Sequence, residues 1–249
     1  MVTCIFLGFT SGMPLYVLIQ LVPAWLRSHE VDLATIGLFA LVSLPYTWKF
    51  LWSPLMDRYK LPFLGRRRGW ALITQLGLLF SIAALGQFDP SVSLQAIVVT
   101  VFIVSLFGAS QDIVVDAYRR ELLADDELGT GTSLFINAYR LSSLVPGSLA
   151  LILSDILPWS VVYWVTAAFM GVGIVTTFII REVSDDAMAP ATLREAVVEP
   201  FVEFFSRDGI AAGLAILAFM FLYKLGDNMA TALATPFYLD MGFSRTEIG

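Results

Sequence analysis

The chain has 249 residues, is 57% hydrophobic and 14% charged, and carries a formal net charge of −6 at neutral pH. Because soluble domains are only about 45–50% apolar, this composition argues against a soluble domain, and repeated apolar runs of about 20 residues predict an all-α, polytopic transmembrane helical bundle. Cys4 is the only cysteine of the sequence, so an intrachain disulfide and a cysteine metal cluster are excluded. The sequence has no basic stripe interleaved with aromatic residues, which would have indicated a nucleic-acid partner.

The first predicted span runs from about Cys4 to Leu26 and carries Gly8 and Gly12 four residues apart, followed by Pro14. Two interpretations stay open. Glycines at this spacing allow close helix packing and the proline allows a kink; alternatively, the helix is flexible and lines a central cavity that Tyr16 faces.

The second predicted span covers about Ala34 to Leu55 and contains Lys49 within about two turns of its end. Lys49 either snorkels to the nearby headgroups or is a cation in a cavity, with Tyr46 one turn away. A dense basic loop, Ser53 to Trp70, leads into a third span from about Gly69 to Phe88.

The fourth predicted span runs from Leu94 to about Tyr118 and ends in a polar stretch that holds Gln111, Asp112 and Asp116. The two aspartates are four residues apart and share one helix face, with Arg119 a turn further along. A carboxylate in hydrocarbon is costly, so it normally faces a protein interior or a wet cavity and finds a partner. Asp116 with Arg119 is either part of such a site or only a feature of the helix end.

The fifth predicted span runs from about Gly131 to Leu157, with Asn137 and Arg140 on a polar face. Pro146 and the glycine after it predict a kink. We predict Arg140 as the partner of Asp112. This pair is either functional, as intramembrane ion pairs often are, or a permanent structural contact.

The sixth predicted span is about Ser160 to Ile180, and the longest polar segment, Arg181 to Asp208, follows it. Within that segment, Leu193 to Phe205 carries apolar residues at helical spacing and predicts an amphipathic helix at the membrane surface. A seventh span starts near Gly209 and is predicted to break within Leu222 to Thr231.

Lys224, Asp227 and Asn228 cluster at this predicted break. The cluster is either a local ion pair that neutralises itself or a set of charges that half-helix ends present to a substrate or a proton.

Lysine and arginine are distributed unevenly between the two ends of the predicted bundle, which predicts a cytoplasmic N-terminus. Only Arg27 and Arg245 lie at one end. Ten basic residues lie at the other end, in or beside the loops after the second, fourth and sixth spans: Arg58, Lys60, Arg66, Arg67, Arg68, Arg119, Arg120, Arg181, Arg194 and Arg207.

An internal repeat is indicated by two segments, Val22 to Gly37 and Thr235 to Gly249. They align with one gap: Pro23 with Pro236, Trp25 with Tyr238, Leu26 with Leu239, and Ile36-Gly37 with Ile248-Gly249. Two six-helix halves repeated in parallel are the arrangement of the major facilitator superfamily. We therefore expect a six-helix bundle over 1–180, a linker over 181–208, and the start of a second, incomplete bundle over 209–249.

The loop between the second and third spans resembles the signature of that superfamily, Asp-Arg followed by Gly-Arg-Arg-Arg. Its counterparts here are Asp57-Arg58 and Gly65 to Arg68. Ser53 replaces the usual first glycine, and Tyr59 to Leu64 lengthen the loop. The resemblance implies a gating role for Asp57, Arg58, Arg66, Arg67 and Arg68.

Five segments, GFTSGMPLYV, LPYTWKFLWSPLMDR, LGRRRGW, ASQDIVVDAYRREL and KLGDNMAT, resemble the AmpG-type muropeptide permeases in the expected order. The resemblance implies a multi-pass protein of the bacterial inner membrane that imports N-acetylglucosaminyl-1,6-anhydro-N-acetylmuramyl peptides. Import would be driven by the proton gradient and would feed peptidoglycan recycling and β-lactamase induction. We expect a monomer whose partners are this glycopeptide, protons and the lipid bilayer, with no cofactor.

The predicted site combines side chains that suit such a substrate. Cations bind carboxylates, amides bind sugar or peptide groups, and tyrosine rings stack on sugars. The substrate-binding candidates are Arg140, Lys49, Gln111, Asn137, Lys224, Asn228, Tyr46 and Tyr16, and the proton-coupling candidates are Asp112, Asp116 and Asp227.

Rival functions remain open at this stage. An acetyl-coenzyme A or other organic-anion carrier shares the signature of the fourth span, and a non-transporting receptor or scaffold could use the same fold. A membrane-embedded enzyme is not expected, because the sequence has no G-x-S-x-G, no H-E-x-x-H and no second histidine.

Overall fold

The computed structural model describes residues 1–183, 202–207 and 209–248, and these residues form helices and turns without a β-strand. Seven helical segments are long and apolar enough to cross a membrane, as predicted. In chain order the spans are Val2–Ser28, Leu33–Leu51, Arg66–Leu85, Leu94–Leu122, Leu128–Ser154, Trp159–Ile179 and Ile210–Asp240. Short helices cover Ser53–Arg58 and Arg245–Ile248.

Two spans begin or end with charged turns that hydropathy alone leaves out. The third span starts at Arg66 rather than near Gly69, and the fourth continues to Leu122 rather than ending near Tyr118. Arg66 and Arg67, at the start of the third span, pair with Glu121 at the end of the fourth. Paired charges extend these helices beyond the apolar core that the pattern detects.

The first and fifth spans are irregular helices that cross closely. A π-helical turn, Val17–Leu21, follows Pro14, and another, Val145–Leu149, contains Pro146. Because proline removes a backbone donor, such departures are expected beside it.

The glycines of the first span let this crossing form. A β carbon on Gly8 would overlap the backbone carbonyl of Phe135, and one on Gly12 would overlap that of Tyr139. The predicted small-residue packing face is therefore the contact with the fifth span. The core beside it is aliphatic and includes Met13, Leu21, Leu78, Ile82, Ile97 and Met170.

The seventh span is one continuous helix, Ile210–Asp240, so the predicted break within Leu222 to Thr231 is wrong. Lys224 donates to the Asp227 carboxylate at 3.0 Å, three residues along the same helix. This local pair satisfies both charges on the helix surface and requires no opening of the backbone. Most of the predicted amphipathic helix, Leu193 to Phe205, lies outside the described residues, although 202–207 are helical.

Equivalent positions of the internal repeat cap two helices. Asp32 accepts hydrogen bonds from the Thr35 backbone N–H and hydroxyl, at 2.9 and 2.5 Å, before the second span. Ser244, which aligns with Asp32, exchanges hydrogen bonds with Glu247 before Arg245–Ile248. Both arrangements satisfy free N–H groups at a helix start. The pattern that follows the first span therefore recurs after the seventh.

Candidate transport site

A lysine and two aspartates meet between the second and fourth spans. The Lys49 Nζ lies 3.5 Å from Asp112 Oδ2 and 4.0 Å from Asp116 Oδ2. The Asp112 side chain is 12% exposed, whereas that of Asp116 is 47% exposed. Lys49 therefore lies between a largely buried carboxylate, Asp112, and a half-exposed one, Asp116.

The first and fifth spans complete the surroundings of these charges. Ser11 of the first span donates its hydroxyl to Asp112. Arg119 donates to Asp116 at 3.1 Å and lies 4.3 Å from the centre of the Phe135 ring in the fifth span. The cluster thus connects four spans, and the helix-end pair of Asp116 and Arg119 belongs to it.

The predicted pair between Asp112 and Arg140 is not formed, and Lys49 takes the place of the arginine. Arg140 is exposed, and among the described residues no carboxylate lies within ion-pair distance of it. The fifth span turns Phe135 and Ala138 inward, which directs Asn137 and Arg140 to the exposed face. Asn137 donates to the Ser133 carbonyl at 2.8 Å.

Two predicted residues carry buried polar groups next to the cluster. The Tyr46 hydroxyl packs against Gly108, one turn before Asp112 on the fourth span, and leaves no room there for a β carbon. Gln111 is fully buried. Within the described part of the chain, the Tyr46 hydroxyl and both amide atoms of Gln111 have no hydrogen-bond partner. Buried polar groups normally have one, so both groups keep unused hydrogen-bonding capacity beside Asp112.

A cleft of about 670 Å³ separates the seventh span from the first and second spans. Predicted residues Tyr46, Lys224 and Asp227 lie on its walls. Tyr223 also lines it, and its flat ring suits a sugar face. Tyr16 lies outside the cleft lining and packs edge to face on Tyr139, with ring centres 6.0 Å apart. The Asn228 side chain lies outside what the structure describes.

Two of the predicted gating arginines, Arg66 and Arg67, form a buried network at the basic end, which we define as the end carrying the loop 59–65. Arg67 donates to Asp57 and to Glu121, each at 2.5 Å, and its side chain is 6% exposed. Arg66 donates to the Asp57 backbone carbonyl and to Glu121, both at 3.2 Å. Arg58 is exposed.

Glu182 ties the sixth span to the same network. Its carboxylate accepts hydrogen bonds from the backbone N–H groups of Arg67 and Arg68 at 2.8 and 3.1 Å, at the start of the third span. Arg68 in turn donates to the carbonyls of Thr177 and Phe178. An acid at a helix N-terminus is also favoured by the helix dipole.

Sequence patterns missed Ser11, Glu121 and Glu182. Ser11 looks like one of several small residues in a packing helix, and the two glutamates look like solvated charges at span ends. For the two glutamates, the only available signal was that the fourth and sixth spans end on the same side of the predicted bundle as the arginine run Arg66 to Arg68.

Comparison with known proteins agrees with this architecture. The Major Facilitator Superfamily model matches residues 4–249. An "Anhydromuropeptide permease" of Escherichia coli is 44% identical over 245 residues, which are 98% of this chain and 49% of the permease. An uncharacterized protein of Haemophilus influenzae is 45% identical over 250 residues, 100% of this chain and 59% of its own length.

The chain spans about half the length of the curated relatives it matches. The resemblance to AmpG-type permeases covers nearly the whole chain. Because it has seven candidate membrane spans and matches the superfamily model over residues 4–249, the chain belongs to the major facilitator superfamily.

Proposed function

We propose that this protein is a secondary transporter that imports anhydromuropeptides from the periplasm to the cytoplasm, coupled to protons, for peptidoglycan recycling. The observation that carries the proposal is the enclosed Asp112, paired with Lys49 at 3.5 Å within a membrane-spanning bundle. Ionisable groups inside a membrane protein mark substrate or proton pathways. The similarity to a permease named for anhydromuropeptides supports this class of substrate.

The cleft offers the chemistry that a glycopeptide needs. Lys224 can bind a peptide carboxylate, Tyr223 can bind a sugar hydroxyl or stack on a pyranose ring, and the ring of Tyr46 lines the same cleft. Gln111 is fully buried and would meet a ligand only after the helices around it rearrange. Of the remaining candidates, Arg140 and Asn137 lie on an exposed polar face, from which they would reach a ligand only on that side of the fifth span.

Proton coupling is assigned to the Lys49–Asp112 pair. Protonation of Asp112 removes the charge that holds Lys49, and Lys49 is then free to bind a substrate carboxylate or Asp116, 4.0 Å away. A proton and an anionic substrate would thereby favour the same rearrangement. Asp116 and Asp227 are weaker candidates, because their side chains are 47% and 53% exposed, whereas that of Asp112 is 12% exposed.

The excess of basic residues orients the protein with the basic end in the cytoplasm of the cell, in a bacterial inner membrane. Asp57 and the arginines Arg66 to Arg68 then form a brace on the cytoplasmic side. We assign these residues a conformational role rather than substrate contact, since Glu121 pairs with Arg66 and Arg67, Asp57 pairs with Arg67, and Arg68 donates to two backbone carbonyls of the sixth span.

Competition for uptake tests the substrate. Proteoliposomes that hold the native gene product should take up labelled anhydromuropeptide, and unlabelled anhydromuropeptide should compete while acetyl-coenzyme A should not. Equal competition by acetyl-coenzyme A would favour an organic-anion carrier. Absence of uptake of either compound would favour a receptor or scaffold.

Charge removal tests the site. Lys49→Gln should abolish uptake without lowering protein level, because it removes the only cation that contacts Asp112 among the described residues. Arg120→Gln is the matched control, since Arg120 forms an exposed pair with Asp125. Normal uptake by Lys49→Gln would remove this pair from the mechanism.

A further inference from the structure

A groove of about 550 Å³ lies on the outer surface of the bundle, between the start of the first span and the end of the sixth. The first span contributes Val2 and Phe6, and the sixth contributes Gly171, Val175 and Ile179. Both segments belong to the basic end of the bundle. The groove shares no lining residue with the cleft of the candidate transport site, so it is a separate feature of the molecule.

The lining of this groove is apolar and exposed. Phe6, Val175 and Ile179 are 45%, 57% and 76% exposed. The seventh span packs mainly against residues 17–28 and the second span, away from these side chains, so they face lipid. The hydroxyl of Thr176 in the lining donates to the Val172 carbonyl at 2.7 Å and is satisfied within its own helix. The groove therefore suits a hydrocarbon chain rather than a polar solute.

Gly171 gives the groove its depth. Among the described residues, no atom outside its own stretch of helix lies within 4 Å of an added β carbon. At Gly173 of the same span, by contrast, a β carbon would lie 2.9 Å from both the Gln75 amide nitrogen and the Thr10 side chain. Gly173 thus serves helix packing, whereas Gly171 leaves space on the outer surface. From Gly171 to Ile179 the helix rises about 12 Å, which gives the groove its length along the span.

A cation stands at the basic end of the groove. Arg181 directly follows Ile180, the last lining residue of the sixth span, and is exposed. Its backbone carbonyl accepts a hydrogen bond from the Tyr118 hydroxyl at 2.8 Å, which holds this residue at the end of the span. Within the part of the chain that the structure describes, no carboxylate lies within ion-pair distance of its guanidinium. The charge of Arg181 is therefore available to an anion where the span leaves the apolar layer.

The charges around this position favour an anion as well. Arg68 brings a second guanidinium to the same end, where it donates to two backbone carbonyls of the sixth span. The neighbouring acid, Glu182, is engaged by two backbone N–H groups at the start of the third span. Basic pockets between spans bind anionic lipid headgroups. A second copy of this chain would cover the apolar lining but would leave Arg181 without an anion.

We propose that this groove binds an anionic phospholipid of the membrane, with one acyl chain between the first and sixth spans and its phosphate on Arg181. The bound lipid stabilises the contact of these two spans at the basic end. Binding is independent of the proposed transport function, since it uses neither the cleft nor the pair of Lys49 and Asp112.

Photo-crosslinking locates the lipid directly. The native gene product is reconstituted into phosphatidylcholine nanodiscs that contain a small fraction of a probe lipid. The probe is either phosphatidylglycerol or phosphatidylcholine, and both carry a photoreactive diazirine in the same acyl chain. Mass spectrometry of the digested protein then measures adducts on residues 2–6 and 171–180, relative to the exposed face of the third span at Leu76 and Phe80.

The expected result is a preference for the anionic probe that is confined to the groove. We expect about fivefold more adduct on the groove segments than on the third span with the phosphatidylglycerol probe, and no such excess with the phosphatidylcholine probe.

Two variants separate the headgroup contact from the chain contact. Arg181→Gln should reduce the groove adducts of phosphatidylglycerol to the level of phosphatidylcholine, because it removes the cation at the end of the groove. Gly171→Leu should lower the groove adducts of both probes about fivefold, because the leucine occupies the space of the chain. Arg120→Gln, which removes another exposed cation at the same end, is the matched control and should leave the pattern unchanged.

Three results would overturn the proposal. The first is an equal yield of the two probes in the groove of the wild-type protein. The second is a groove yield that Gly171→Leu does not lower. The third is a groove that reacts with neither probe while the third span reacts with both, which would show that protein rather than lipid covers it.

Discussion

The two ends of the bundle use the same interaction, an arginine with a carboxylate, for different purposes. At the basic end, Arg67 is 6% exposed and joins Asp57 to Glu121 within the six-span bundle. At the opposite end, Arg27 is 27% exposed and joins that bundle to the seventh span. Burial therefore distinguishes a permanent brace from a reversible contact.

This difference follows from how solvent acts on an ion pair. A buried arginine whose carboxylates lie beside it cannot leave without exposing unpaired charge to a dry interior. A pair with a quarter or more of each side chain in water loses little when it separates, because water solvates both partners. The basic end should accordingly resist change, and the opposite end should move.

Breaking the brace of Asp57 and Arg66 to Arg68 should lower the free energy of unfolding more than any other change. Arg67→Ala leaves Glu121 buried with a reduced set of donors, which should lower the free energy of unfolding by about 3–5 kcal/mol. Thermal unfolding of the purified protein in detergent measures the loss. Arg120→Ala, which removes an exposed pair, should cost at most about 1 kcal/mol, and an equal loss in both variants would contradict the comparison.

Close packing of the first span on the fifth should be nearly as sensitive to substitution. Gly8→Ala forces a β carbon against the Phe135 backbone and should destabilise the protein by about 1–3 kcal/mol. Gly171→Ala is the matched control, since among the described residues no atom outside its own stretch of helix lies within 4 Å of the added β carbon. Similar unfolding temperatures for the two variants would show that the first and fifth spans do not pack as described.

A smaller effect is expected where Glu182 holds the start of the third span. Glu182→Gln keeps the shape of the side chain but removes the charge that faces two backbone N–H groups. We expect a loss of about 1 kcal/mol in unfolding free energy. Glu203→Gln, on an exposed pair with Arg207, should leave the unfolding temperature unchanged; a shift as large as that of Glu182→Gln would contradict the assignment.

The smallest effect concerns pH at the opposite end. Partial burial acts to raise the pKa of the Asp155 carboxyl, but hydrogen bonds from Thr246 and from Arg245 outweigh it and hold that pKa below its ordinary value. A carboxyl with a lowered pKa in the docked state stabilises docking above its ordinary pKa, and this contribution is lost as the pH falls through the lowered value.

Acidification should therefore favour opening at this end, where Arg27, Glu30, Asp240 and Arg245 are the other charged groups around the same pocket. A cysteine placed at Thr47, which lines the cleft, reports on this contact through its reaction with a membrane-impermeant maleimide applied from the side of Arg27. The labelling rate should rise below the ordinary pKa of an aspartate, and Asp155→Asn should weaken this dependence. A labelling rate that does not vary with pH would show that Asp155 does not control the contact with Arg245 and Thr246.

Hydropathy and composition predict much of the fold but not the pairing of its charges. Seven apolar runs locate seven spans, and the polar stretch around Asp112 locates the candidate site on the fourth. Arg140 and Lys49 were both available cations in neighbouring spans. The choice between them depends on the rotation of the fifth span, which buries Phe135 and Ala138 and leaves Arg140 exposed.

Local chemistry explains the other differences. The seventh span stays helical because Lys224 and Asp227, three residues apart, form an ion pair on one helix. In the sequence alone, a polar cluster that pairs within a helix looks the same as one that breaks it. The repeat alignment already contained the equivalence of Arg27 and Asp240, but only the structure shows that these two positions meet.

The central claim is that Asp112 couples protons to substrate through Lys49, and exchange kinetics in proteoliposomes test it most directly. Asp112→Asn should still exchange internal for external anhydromuropeptide, since the cleft is intact, but should not accumulate it against a gradient when an inward proton gradient is imposed. Gradient-driven accumulation at the wild-type level in Asp112→Asn would contradict the account.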